Sequence, residues 1–326
     1  MGYNVYVAQR IPDESIRLLE AECETVEVNP HDRPLTRAEF LKAIRGRDGL
    51  LCLLTETVDE EALDAAVGVR GIANYAVGFN NIDVAACTRR GIPVSNTPGV
   101  LTDTTADLAW ALMFAVARRV VEGDRMVREG RFTGWGPLMI LGTDITGKTL
   151  GIVGGGRIGR ATAARAAAFS MKTLYYSRQR HPEIEAVGAQ YRLLDDLLRE
   201  SDYVSIHVPL NKETIHLISA RELALMKPGA FLINTARGPV VDEKALVAAL
   251  REGRIAGAGL DVFEREPELE PGLADLENVV LLPHVGSATV ETRIKMGNMA
   301  ATNLLAMIRG EEAPNCINPE WKNFRK

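Results

Sequence analysis

The stretch Leu150-Gly151-Ile152-Val153-Gly154-Gly155-Gly156-Arg157-Ile158-Gly159 constrains the fold more than any other. An apolar run enters G-x-G-x-x-G, and Arg160-Ala161-Thr162-Ala163-Ala164 continues in helix-favouring residues. Strand, tight turn and helix in that order are the first half of a βαβ unit. The glycines divide the work. Gly154 permits the turn, Gly156 lets the backbone approach a pyrophosphate, and Gly159 lets the helix lie against the strand. The helix start at Arg157 and Ile158 supplies unpaired N–H groups and positive potential for the phosphates. The segment therefore predicts a dinucleotide site.

The rest of the chain repeats the same rhythm. Strand-like runs fall at 3–8, 50–54 and 71–75, and again at 149–153, 172–176, 203–208, 230–233, 255–260 and 279–282. Helical segments are read at 12–21, 36–44 and 59–66, and a last helix at 289–308. Alternation of this kind predicts an α/β fold with parallel sheets, and 326 residues suggest two domains. A long helix opens with Thr102 as N-cap and runs unbroken through Arg118-Arg119. Leu108, Ala111, Leu112, Ala115 and Val116 form its apolar face, and it reads as an inter-domain element. Residues 130–142 (GRFTGWGPLMILG) read as a loop or arm, and the polar tail 311–326 as loosely attached.

Composition narrows the function classes. The net charge of −5 argues against a nucleic-acid or anionic-membrane partner. No run approaches the roughly 18 apolar residues of a membrane span. The start, MGYNVYVAQRIPDES, shows no secretory pattern. Cys23, Cys52, Cys87 and Cys316 form no C-x-x-C pair and have no histidine cluster beside them. Neither a metal site nor a disulfide framework is expected, and reduced thiols fit a cytoplasmic protein.

The strand after the glycine motif ends at Ser177-Arg178-Gln179-Arg180. An NAD site places a carboxylate here for the ribose 2′-hydroxyl, and none is present. Ser177 can donate to a 2′-phosphate, while Arg178 and Arg180 can pair with it or stack on adenine. The pattern favours NADP(H) and leaves NAD(H) open.

Three later strand-like segments end in ionisable residues: FLINTARG at Arg237, GLDVFEREP at Glu266 and LLPHVGS at His284. Open α/β sheets gather ligands at the carboxyl ends of their strands. Together with VGGGRIGRATAARA, NTARGPVVDEKAL, ANYAVGFNNID and GVLTDTTADLAWAL, in this order and spacing, they make the whole chain resemble the D-2-hydroxyacid dehydrogenase family. Within it, the nearest likeness is to the glyoxylate/hydroxypyruvate reductases.

The resemblance implies an enzyme and assigns roles. Arg237 would bind the substrate carboxylate and polarise the keto oxygen. His284 would be the general acid/base, and Glu266 would orient it and favour its protonated form. The backbone N–H groups of Val77 and Gly78 would hold the carboxylate. Asp261 would lie near the nicotinamide carboxamide. Thr105, Pro209, Thr214, Thr235, Ala236 and Gly286 would fall at the cofactor. Trp135, in the arm, would either line a neighbouring subunit's site or serve as a dimer contact. His31 and His181 read as exposed loop residues, and His207 and His216 receive no role.

The same resemblance implies Rossmann/flavodoxin-like domains, one inserted in the other. Residues 1–99 plus 286–326 would form the substrate domain and 100–285 the dinucleotide-binding domain, with the site in a cleft and a homodimer as the assembly. The substrate would be a small anionic 2-keto or 2-hydroxy acid. Other D-2-hydroxyacid dehydrogenases are the enzyme alternative. A non-catalytic NAD(P)H-sensing protein is the alternative of a different class, because corepressors of this fold keep the triad.

Overall fold

The structure is a computed structural model that describes residues 2–324. The chain divides into two compact units, 1–101 with 288–326, and 102–287. In the first, strands β1 (Asn4–Val7), β2 (Thr25–Val28), β3 (Gly49–Cys52), β4 (Gly71–Asn74) and β5 (Val94–Ser95) form a parallel sheet in the order β2-β1-β3-β4-β5. In the second, β6 (Thr149–Val153), β7 (Lys172–Tyr176), β8 (Gln190–Tyr191), β9 (Tyr203–Ile206), β10 (Phe231–Asn234), β11 (Gly257–Leu260) and β12 (Val279–Leu281) form a parallel sheet. Its order is β12-β11-β10-β9-β6-β7-β8.

Parallel pairing explains the residue choice. Strands β3, β4, β9, β10 and β11 are buried along their whole length because helices cover both faces, so their sequences are near-continuous apolar runs. β2, β5 and β8 escaped the sequence reading. Two of them have only two residues, and β2 is a partly exposed edge reading Thr-Val-Glu-Val. In the larger sheet the chain leaves β6 toward β7 and β8, then returns to β9 on the other side. The gap between β6 and β9 is the switch point at which such sheets bind ligands.

The expectations for the long helix and for the tail need correction. The helix at Thr102 starts with Thr102 itself and stops at Ala117. Arg119 takes a left-handed backbone (φ 52°), and a separate helix follows at Val120–Arg128. The buried residues of Thr102–Ala117 are Thr105, Ala106, Ala109, Trp110, Leu112, Met113, Val116 and Ala117, whereas Ala111 is exposed. The helix is sandwiched between β10–β12 and the helix Arg157–Ala166, so its buried arc is wider than one apolar stripe. It is a core element of the second unit and not a connector.

The tail is tied down. Ile317 N–H donates to Val94 O (2.8 Å), and the Asn318 amide bonds Ile92 O and Thr88 Oγ1 (3.0 Å each). Asn318 and Trp321 are buried. Asparagine and tryptophan in a polar tail read as solvated until their partners are known. The last two residues of that tail, Arg325 and Lys326, lie outside the described residues. No helix among the described residues is long and apolar enough to cross a membrane.

Candidate active site

The glycine turn follows β6. Gly154 has φ +115°, and a Cβ there would meet His207 O at 2.6 Å, so only glycine fits. A Cβ on Gly159 would lie 2.0 Å from Gly154 O, the close packing that seats the helix Arg157–Ala166. Gly156 is exposed, and a Cβ there would meet nothing within 4 Å. That open cradle, with exposed Arg157 and half-buried Ile158 at the helix start, is the shape a pyrophosphate needs. Across the switch point, Thr235 Oγ1 is buried without a hydrogen-bond partner. Both observations fit a dinucleotide at this edge.

At the end of β7, Ser177 is half-buried and its Oγ lies 3.1 Å from His181 Nε2. His181 is not the exposed loop residue expected. Its N–H donates to Tyr175 Oη (3.0 Å), and a Cβ on Gly155 would approach its ring to 2.9 Å. It folds back because Pro182 starts the helix Pro182–Glu185 directly after it. Arg178 and Arg180 are exposed and form ion pairs with Glu213 and Glu185, 2.8 Å each. Pro209 and Thr214 close the loop after β9, since Thr214 Oγ1 donates to Pro209 O at 2.7 Å.

Beyond the switch point, β10, β11 and β12 deliver the ionisable residues to the same carboxyl edge. His284 Nδ1 lies 2.9 Å from Glu266 Oε2, and Glu266 Oε1 accepts the Phe263 N–H at 3.1 Å. An ionised carboxylate only accepts, so Nδ1 carries the proton and Nε2 is left for another partner. Burial raises the Glu266 carboxyl, but the hydrogen bond and charge of His284, the Phe263 N–H and the Arg237 charge outweigh it. The net position is below the ordinary glutamate value, so Glu266 stays ionised. Arg237 is half-buried; burial draws its pKa down, and Glu266 opposes this.

His284 has a left-handed backbone (φ 53°). A non-glycine residue holds that conformation only where its surroundings impose it, at about 1–3 kcal/mol. Asp261 imposes it. Its backbone O accepts the His284 N–H (2.9 Å), and its carboxylate oxygens accept the Val285 and Gly286 N–H groups (2.7 Å each). Burial pushes the Asp261 carboxyl up, against the pull of those N–H groups and of His284. Thr105 belongs to the same cluster: a Cβ on Gly286 would lie 3.1 Å from Asp261 Oδ2 and 3.6 Å from Thr105 Cγ2.

Two positioning residues escaped the sequence reading. Asn234, buried at the end of β10, donates to Arg237 O (3.0 Å) and accepts the Ala236 N–H (3.0 Å), shaping the turn that presents Arg237. A buried asparagine at the end of an apolar strand was the available signal. Gly238 packs so tightly that a Cβ would lie 1.9 Å from Phe263 C and O. It lets the Arg237 turn lie against the 263–266 segment that ends in Glu266.

In the first unit, the loop after β4 is braced from both sides. Asn74 Nδ2 donates to Gly78 O and Asn96 Nδ2 to Val77 O, 2.8 Å each. Trp135, in the second unit, is 82% exposed within a stretch containing Phe132, Leu138 and Leu141, all exposed. Among the described residues, no group of three or more His, Cys, Asp or Glu side chains could hold a metal.

Residues 110–286 match the family model of the D-isomer specific 2-hydroxyacid dehydrogenase, NAD binding domain. The chain belongs to the D-isomer specific 2-hydroxyacid dehydrogenase family. It is 53% identical to a glyoxylate reductase of Thermococcus litoralis, covering 98% of each chain. It is 52% identical to one of Thermococcus kodakarensis, covering 100% of this chain and 99% of the other. Among solved structures, a Sinorhizobium meliloti NADPH-dependent glyoxylate/hydroxypyruvate reductase, in complex with NADP and malonate, superposes with a TM-score of 0.86. The two chains are 34% identical, over 100% of this chain and 99% of that one. As a member of this family the protein is an NAD(P)-linked oxidoreductase, and its two parallel-sheet units are the family's fold.

Proposed function

We propose that the protein reduces small 2-keto acids with NADPH, taking glyoxylate to glycolate and hydroxypyruvate to D-glycerate. The observation that carries this reading is the convergence of Arg237 and the His284–Glu266 pair on the sheet edge that also holds the glycine turn. Arg237 binds the substrate carboxylate and draws electron density toward the keto oxygen. In the first unit, the backbone N–H groups of Val77 and Gly78 are assigned to substrate binding. His284 delivers a proton from Nε2 to the keto oxygen, and Glu266 holds the resulting imidazole in the correct tautomer. A nicotinamide cofactor, when held at this edge, would supply the hydride. In oxidation His284 takes the proton back.

The cofactor assignment rests on Gly154, Gly156, Arg157, Ile158 and Gly159 for the pyrophosphate. Thr105, Pro209, Thr214, Thr235, Ala236, Asp261 and Gly286 would hold the remainder. Preference for NADPH is supported by Ser177, Arg178 and Arg180, and by the absence of a carboxylate at that strand end. The first unit takes the substrate role and the second the dinucleotide role. We assign the exposed apolar stretch with Trp135 to a homodimer contact, and the unpaired cysteines fit a cytoplasmic setting.

Steady-state kinetics with both cofactors across a panel of 2-keto acids tests the reading. NADPH with glyoxylate or hydroxypyruvate gives the highest kcat/KM. A clear NADH preference removes the cofactor assignment, and absence of turnover with both acids removes the function.

A further inference from the structure

We propose that His216 is a positioning residue for the reaction, clamping the loops that carry Arg237 and Glu266 against each other. The proposal rests on the roles given above to those two residues. His216 sits in the loop after β9, far in sequence from both. Its backbone N–H donates to Pro239 O (2.8 Å), two residues beyond Arg237. Two residues on, Ile218 N–H donates to Val240 O (3.1 Å), and Asp242 N–H returns to Ile218 O (3.0 Å). The main chain of this loop is thus laced to the Arg237 turn.

The side chain points to the other loop. His216 Nε2 lies 2.8 Å from Glu264 Oε1, two residues before Glu266. Glu264 is itself fixed. Its N–H donates to Glu243 Oε1 (2.8 Å), and its Oε2 accepts the Glu243 N–H (3.3 Å). Glu243 is buried at the start of the helix Glu243–Arg251, which follows the Arg237 turn. Three segments, 214–218, 237–243 and 263–266, therefore close into a ring. Gly238 packs on Phe263 within it, and Arg237 and Glu266 project from it.

His216 also holds a left-handed backbone (φ 51°), uncommon outside glycine although histidine accepts it more readily than most residues. Here the conformation lets one residue bond one loop through its N–H and the other through its ring. Its side chain is 41% exposed, so packing alone does not account for it.

His216→Gly separates position from bulk, because glycine accepts the backbone conformation and removes only the ring. The expected result with NADPH and glyoxylate is a kcat lower by about tenfold, since small misplacements of catalytic groups carry large rate effects. NADPH affinity, read by fluorescence titration without substrate, falls less than kcat, because Gly154, Gly156 and Gly159 lie outside the ring although Thr214 borders it. His216→Gln, whose amide nitrogen reaches the position of Nε2, restores most of the rate. In His216→Gly/Glu264→Ala the second change adds little to the first. Unchanged kcat in His216→Gly, or loss that glutamine does not rescue, overturns the clamp. Absence of turnover in the unmodified enzyme instead overturns the functional reading on which the clamp rests.

Discussion

Gly238→Ala probes the joint between the loops that carry Arg237 and Glu266. The added methyl carbon would lie 1.9 Å from Phe263 C and O and 2.4 Å from Glu264 N. Carbon atoms rest at about 3.5 Å or more, so the two main chains must part by about 1.5 Å. Both partners are backbone, and no side chain can swing aside to absorb the strain. A displacement of about 1 Å between catalytic groups lowers the rate by about 100-fold, equivalent to about 2.7 kcal/mol. Overpacking adds about 1–3 kcal/mol of destabilisation. Gly229→Ala is the control, since a Cβ there meets nothing within 4 Å. The assays are kcat/KM for glyoxylate with saturating NADPH, NADPH affinity by fluorescence, and Tm by calorimetry. Gly238→Ala should lose rate while keeping cofactor affinity within about threefold. A folded Gly238→Ala enzyme with kcat/KM close to that of the parent would refute the reasoning.

Other consequences are equally direct. Burial raises the Glu266 carboxyl, but the hydrogen bond and charge of His284 outweigh it, so Glu266 is ionised at neutral pH and its orienting charge is lost as pH falls through that lowered value. Reductive activity should therefore decline at acid pH on the Glu266 ionisation. Glu266→Gln should remove that acid limb, and an identical pH–kcat profile would remove the orienting role. Arg237→Lys loses the two-pronged carboxylate contact. Keto-acid kcat/KM should drop by about 10–100-fold, with NADPH affinity retained. Asn234→Ala removes the acceptor of the Ala236 N–H and one of two donors to Arg237 O, the other being the Val240 N–H, and should lower stability by about 1–3 kcal/mol, read as a lower urea midpoint together with a raised keto-acid KM.

The parts legible in the sequence were those fixed by local pattern. Fully buried parallel strands such as β10 read as apolar runs, and Gly154-x-Gly156-x-x-Gly159 follows β6 as the motif requires. Arg237, Glu266 and His284 stood out because each ends or follows such a run, and the family resemblance gave them roles. What stayed hidden depends on partners distant in the chain. Nothing local to Gly238 announces that Phe263 lies against it, and nothing local to His216 announces Glu264. His181 read as solvated because its contacts, Ser177, Tyr175 and Gly155, come together only when the loop folds back. The break at Arg119 and the docked tail failed for the same reason. Arg119 pairs with Glu122 and leaves the helix through a left-handed residue that no propensity favours. Asn318 is a polar residue whose burial is decided by its bonds to the 88–94 segment, and Trp321 is buried in the same tail.

Under the proposed function, His284 supplies the proton to the keto acid. The decisive comparison is single-turnover reduction of glyoxylate by enzyme preloaded with NADPH, in the parent and in His284→Ala. NADPH fluorescence reports both binding and its oxidation. The replacement should bind NADPH with unchanged affinity and oxidise it at least about 100-fold more slowly. Oxidation at the parent rate in His284→Ala would contradict the claim.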